Sequence, residues 1–153
     1  MSGKVYWIPN LGTALLFKVT PECRSLLMSQ WAWEGGNGGP NRNISPSAKY
    51  NWLNSMTKVL GSSKFNAVGV QNYPTYLSGI YATAKTLRDP RYKGYLVALR
   101  SGTPLADAYA WGLRASLSTW VTGQAANAEG LAYAERVIAK AEHDLPLYLP
   151  PAV

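Results

Sequence analysis

Thr20-Pro21-Glu22 constrains this chain more than any other stretch, because it sets where a helix begins and therefore what that helix must carry. A threonine cap, a proline whose missing N–H costs nothing in the first turn, and an early acid favoured by the helix dipole predict a start at Pro21. Cys23, Leu27 and Trp31 follow at four-residue spacing with Leu26 beside them, so one face is apolar, and Gly35-Gly36 supplies the stop. Glu34 then falls at the helix end, near the edge of the buried face. Burial beside Trp31 and Trp33 disfavours an ionised carboxylate, and so does the partial negative charge of a helix C-terminus. A carboxyl raised in this way can donate a proton near neutral pH, which makes Glu34 the candidate general acid. No Asp or Glu occurs from Gly35 to Arg88 to share the work. The plainer alternative, a solvated helix-end residue, is the commoner fate of an acid.

Other helices announce themselves similarly. Tyr73-Pro74-Thr75 opens one in which Leu77, Ile80, Tyr81, Ala84 and Leu87 recur at helical spacing until Asp89-Pro90. A short helix from about Tyr92 to Ser101 turns Tyr95, Leu96 and Leu99 inward and stops at Gly102. Thr103-Pro104 repeats the start signal for a helix predicted to reach Leu113, and Leu131, Ala134, Val137, Ile138 and Ala141 mark a last amphipathic helix before a proline-rich tail, 146–153. Between Asn37 and Gly69 the chain turns to Gly, Asn, Ser and Pro with short apolar pieces, which predicts loops and a small irregular β-hairpin. Residues 1–19 hold Val5-Tyr6-Trp7-Ile8 and Leu15-Leu16-Phe17 on either side of a Pro-Asn-Leu-Gly turn signal, and predict extended segments or a docking arm. The fold class is α+β, mainly α.

A length of 153 residues, 47% hydrophobic and 15% charged, suits one domain with a real core. The net charge of +7 favours an anionic partner such as nucleic acid, a membrane surface or an acidic wall polymer. No run of four or more basic residues accompanies it, which weakens the nucleic-acid choice. One cysteine, Cys23, and one histidine, His143, far apart in sequence, give no internal disulfide and no zinc cluster, so no metal or cofactor is expected. Cys23 reads as a core residue. Pro9, Asn10 and Gly12 interrupt any signal-peptide core, and the longest uncharged run, Phe65 to Ala84, is too broken to span a membrane.

Five pieces in order carry a resemblance: Glu34 to Gly36 (Glu-Gly-Gly), Asn51 to Ser55 (Asn-x-Leu-Asn-Ser), Phe65 to Tyr73 (Phe-Asn-x-Val-Gly-Val-Gln-x-Tyr), Gly79 to Thr83 (Gly-x-x-Ala-Thr) and Leu99 to Gly102 (Leu-Arg-Ser-Gly). Together they resemble the small peptidoglycan-lytic modules of actinobacterial phages, and more broadly the lysozyme-like fold of goose-type lysozymes and lytic transglycosylases, over roughly residues 26–123. The resemblance implies a lysozyme-like domain over 20–145, with Glu34 as general acid and Gln71 and Tyr73 lining the cleft that faces it. It also implies substrate-binding roles for Asn54, in the hairpin forming the other wall, and for Asn72 and Trp33. Trp120, in Ser118-Thr119-Trp120-Val121-Thr122-Gly123, matches a Trp-x-Thr-Gly element that borders the sugar groove, with a core indole as the alternative. Three departures stand out. Trp52 occupies the place of a usual proline in Asn51-Trp52-Leu53-Asn54, Asn41 to Ser47 reads as extra loop, and the 1–19 arm lies outside the match.

Glycosidases normally use two carboxyls, about 5 to 5.5 Å apart for retention or about 6.5 to 9.5 Å for inversion. The acid-free stretch removes the hairpin as a source of the second, leaving a single acid or a distant partner such as Asp89 or Asp107. The implied activity is cleavage between N-acetylmuramic acid and N-acetylglucosamine in bacterial peptidoglycan, as a lytic transglycosylase or muramidase. The setting would be a phage virion or the host cell wall, as an endolysin or a virion-borne tail protein whose arm meets other virion proteins. The competing readings are a catalytically silent virion structural or glycan-binding protein of the same fold, and a basic nucleic-acid-binding domain.

Overall fold

A computed structural model describes residues 7–34 and 48–151 and is mainly helical with one two-stranded antiparallel sheet, as the sequence predicts. The helices are α1 (Trp7–Leu15), α2 (Pro21–Trp33), α3 (Tyr76–Leu87), α4 (Lys93–Ser101), α5 (Ala110–Thr122) and α6 (Ala128–Asp144); the strands are β1 (Ser63–Lys64) and β2 (Gln71–Asn72). No helix among the described residues is long and apolar enough to cross a membrane. The chain divides into two compact units, a hairpin unit of residues 1–15 and 30–88 and a helical unit of residues 16–29 and 89–153.

In the hairpin unit the largest difference from the sequence reading is α1, a helix where extended chain was expected. Pro9 is its third residue, where a helix needs no N–H from it, so the Pro-Asn-Leu-Gly signal does not break the first turn. Trp7, Ile8, Leu11 and Leu15 then share one buried face, and Leu16 ends the helix in a left-handed conformation at φ 59°. That face packs on α3, and the Asn10 amide donates to the Tyr76 hydroxyl at 3.1 Å. α3 starts as predicted after Thr75, whose hydroxyl and that of Ser78 form a reciprocal capping box. Gly79 lets α3 pass over the loop before the hairpin, since a Cβ there would lie 2.1 Å from the Tyr50 carbonyl oxygen. Gly79→Ala is expected to cost about 1–3 kcal/mol through forced displacement of that loop, read as a lowered urea midpoint with unchanged slope.

In the helical unit α2 begins at Pro21, with Thr20 Oγ1 accepting the Cys23 N–H at 3.2 Å. Cys23 is fully buried, and its thiol faces the Leu99 carbonyl at 3.4 Å. Two buried serines one turn apart tie α2 to α6, Ser29 Oγ donating to the Val137 carbonyl at 2.6 Å and Ser25 Oγ to that of Ala141. α4 ends at Gly102 in the left-handed region, at φ 80°.

The helix expected from Pro104 to Leu113 starts later and runs further. Pro104 opens a turn, a 3-10 segment follows at Asp107–Tyr109, and α5 extends from Ala110 to Thr122, capped by Gly123 at φ 76°. The Leu105 N–H is taken by the Glu22 carboxylate at 3.1 Å, so this first turn is held by a tertiary bond instead of a helical one. The second half of α5 escapes a hydropathy pattern because its inner face is hydroxylic. Ser116, Ser118 and Thr119 are buried, with Ser116 Oγ accepting the Tyr95 N–H at 3.0 Å and Ser118 Oγ donating to the Gln124 carbonyl at 2.6 Å.

Candidate active site

Glu34 directly follows α2, its N–H bonded to the carbonyls of Gln30 at 2.9 Å and Trp31 at 3.1 Å, and its side chain is partly buried. Asn54 meets it. A single amide nitrogen, Nδ2, donates to the Glu34 main-chain carbonyl at 2.8 Å and to Glu34 Oε2 at 3.0 Å. Because a main-chain carbonyl only accepts, the Asn54 atom facing it must be the nitrogen, which sets the orientation of the amide. The clamp therefore holds the backbone and the carboxylate of the acid together.

The loop that presents Asn54 is built from buried Asn51. Its Oδ1 accepts the Ser55 N–H at 2.7 Å, while its Nδ2 donates to the carbonyls of Ser55 and Gln71, both at 2.8 Å. Leu53 is fully buried, which anchors the loop, and Asn54 follows in the left-handed region at φ 54°, a conformation asparagine tolerates better than most residues. Asn54→Gly keeps that backbone and deletes the donor. Its stability is expected to stay within about 1 kcal/mol of the parent. If Glu34 is the acid that the resemblance implies, glycan cleavage is expected to fall by roughly 10- to 100-fold, the worth of a hydrogen bond to a charged group. Unchanged cleavage by a folded Asn54→Gly protein would remove Asn54 from the site.

Of the other residues implied by the resemblance, all but Trp120 lie in the same unit, and Gln71, Asn72 and Tyr73 are engaged in its hairpin and the adjoining loop. Gln71 pairs with Lys64 in the ladder, and its Nε2 donates to the Gly69 carbonyl at 2.8 Å. Asn72 Oδ1 accepts the Lys49 N–H at 2.9 Å. Tyr73 is buried and gives its hydroxyl to the Thr57 carbonyl at 2.7 Å; burial pushes its pKa above the ordinary tyrosine value, partly offset by Ser55. These three brace the loop that carries Asn54, since Asn51 bonds the Gln71 carbonyl and Gln71 N–H bonds Ser55 at 3.1 Å. Trp33 is partly buried. Trp120 belongs to α5 in the helical unit, where its partly buried ring packs on Tyr92 with centroids 4.9 Å apart.

Sequence reasoning named Asn51 only as part of a motif and missed that it holds the loop. It also missed that two of the departures from the family pattern, Trp52 and the N-terminal arm, meet each other. Trp52 stacks on Trp7 of α1, centroids 5.5 Å apart and planes within 4°, and Trp7 meets Trp31 edge-on at 6.2 Å. An added helix and a changed loop residue therefore form one aromatic contact. The extra loop at Asn41 to Ser47 and the Gly35-Gly36 stop lie outside the described residues.

Glu34 is the only acid in the sequence of the hairpin unit. Asp89 and Asp107, the candidate second carboxyls, belong to the helical unit. Asp89 caps a 3-10 turn by accepting the Arg91 N–H at 2.9 Å and is paired with the Arg91 guanidinium at 3.1 Å, which holds its pKa below the usual carboxylate value. Asp107 is exposed and lines a shallow recess with Arg114 and Glu142. The described residues contain no group of three or more His, Cys, Asp or Glu able to hold a metal ion. No protein-family model, curated protein or solved structure matches the chain.

Proposed function

We propose that the protein cleaves the glycan strand of bacterial peptidoglycan between N-acetylmuramic acid and N-acetylglucosamine, with Glu34 as its acid and the phage lytic modules it resembles as its kin. The observation that carries this reading is the Asn54 clamp on the one carboxylate of the hairpin unit. A solvated helix-end glutamate has no need of a buried-loop residue in a left-handed conformation to fix its side chain. In the clamp, Glu34 Oε2 accepts from Asn54 Nδ2.

In the reaction this implies, the Glu34 carboxyl protonates the glycosidic oxygen as the bond to the muramyl anomeric carbon breaks. The carboxylate then takes the proton of the muramyl 6-hydroxyl as that oxygen closes onto the same carbon, so no water is consumed. A lone acid suits this route better than hydrolysis, which normally calls on a second carboxyl. Intramolecular closure also gains from proximity, worth roughly 7 to 11 kcal/mol for well-oriented groups. The test is turbidity of a suspension of purified sacculi. Clearing by the parent protein supports the reading, and an unchanged suspension at high enzyme concentration overturns it in favour of a silent glycan-binding protein.

A further inference from the structure

The net charge is not shared between the units. Among the described residues, five Lys and Arg lie in the hairpin unit against the single acid Glu34, whereas the helical unit sets eight against seven. The described part of the hairpin unit therefore carries +4, against +1 for the helical unit. The ion pairs tell the same story. Among the described residues, Arg91–Asp89, Arg114–Glu135, Lys140–Asp144 and His143–Asp144 all fall in the helical unit.

Four exposed lysines of the hairpin unit are tied to a common frame, β2 and Tyr73. Lys64 is the ladder partner of Gln71, and Lys49 accepts the Tyr73 N–H at its carbonyl, 3.0 Å, on the other side. Lys58 follows Thr57, whose carbonyl takes the Tyr73 hydroxyl. Lys85 precedes Thr86, whose hydroxyl meets those of Thr57 at 2.6 Å and Ser55 at 2.7 Å. A turn, a loop, a strand and a helix thus each place one exposed lysine at or next to a residue bonded into the scaffold that braces the Asn54 loop.

We propose that this lysine frame binds a flexible phosphodiester polymer carried on the bacterial wall, and that binding concentrates the enzyme at its glycan. The polymer's identification as wall-borne rests on the proposed function; the polyanion binding does not. Lysine is a point charge without the planar fork with which arginine reads phosphate or guanine edges. Its four copies here lie on four separate elements instead of along one helix or ribbon able to enter a groove. Such an arrangement fits a chain of spaced single charges that bends to meet them, and fits a rigid duplex poorly.

Binding of fluorescent poly(glycerol phosphate) to full-length Glu34→Gln protein across a salt series tests the proposal without any cleavage. Expected is a Kd that rises steeply with salt, and a Lys58→Gln/Lys64→Gln form whose log–log salt slope is shallower by about 0.7 per lysine removed. Lys18→Gln/Lys93→Gln, which neutralises two exposed lysines of the helical unit, should leave the slope unchanged. Equal effects of the two pairs, absence of binding at low salt, or tighter binding to duplex DNA at matched phosphate and salt would each overturn it. Failure of sacculus cleavage with this binding intact would count against Glu34 alone.

Discussion

Glu34→Gln protein is expected to fold as the parent does and to lose cleavage of purified sacculi by at least about 100-fold, and up to about 10⁴-fold, the usual worth of a positioned general acid. The fold should survive because the substitution leaves both bonds of the clamp possible. The main-chain carbonyl of residue 34 is untouched, and a glutamine side-chain oxygen can accept from Asn54 Nδ2 as the carboxylate does. What the amide lacks is a proton to give. Retained clearing by a folded Glu34→Gln protein, with a circular dichroism spectrum and Tm matching the parent, would end the assignment.

Asn51→Ala carries the largest expected effect on stability. It strips the Ser55 N–H of its acceptor and the Gln71 carbonyl of the donor that ties the loop to β2, both in a buried setting. Leaving a buried backbone group unpaired costs about 1–3 kcal/mol, so the pair should cost roughly 2–4 kcal/mol. That is a fall in Tm of roughly 5–15 °C for a chain of this length. Cleavage should fall too, even well below the new Tm, because the same loop presents Asn54 to Glu34. A Tm within 2 °C of the parent, taken as about the resolution of a melting curve, would show that the loop stands without Asn51.

Much of the helical framework was legible in the sequence because its signals are local. Thr20-Pro21, Pro74-Thr75 and Gly102 each state a helix end within a few residues, and the structure places ends there. The failures have physical causes of a different kind. α1 hides behind Pro9 and Gly12, residues that break a helix in the middle but not near its start or where tertiary packing compensates. Its stability comes from Trp7 stacking on Trp52, forty-five residues away, and no local pattern announces such a pair. The inner faces of α2 and α5 use serine and threonine whose hydroxyls bond carbonyls and N–H groups of neighbouring helices, so burial there does not look hydrophobic.

At the site, Glu34 could be singled out from its neighbours and from the empty carboxylate census. Asn54 came only through the resemblance, and as a wall of the cleft. Its hold on the acid follows from the backbone turn that Asn51 enforces, which depends on contacts with β2. Gln71 and Tyr73 were expected to face the substrate; in the structure the Gln71 amide nitrogen and the Tyr73 hydroxyl donate to carbonyls of the hairpin unit. Buried polar side chains generally take partners, and from sequence alone a residue that binds a ligand and one that braces a loop look alike.

The most direct test of Glu34 as a lone acid is mass spectrometry of sacculi digested to completion with the parent protein and, in parallel, with Glu34→Gln. The expected result is soluble muropeptides ending in 1,6-anhydromuramic acid from the parent and none from the variant. Contradiction would come as fragments one water heavier, with reducing ends throughout, whose release is abolished by Asp89→Asn or Asp107→Asn, or as equal release by the Glu34→Gln protein.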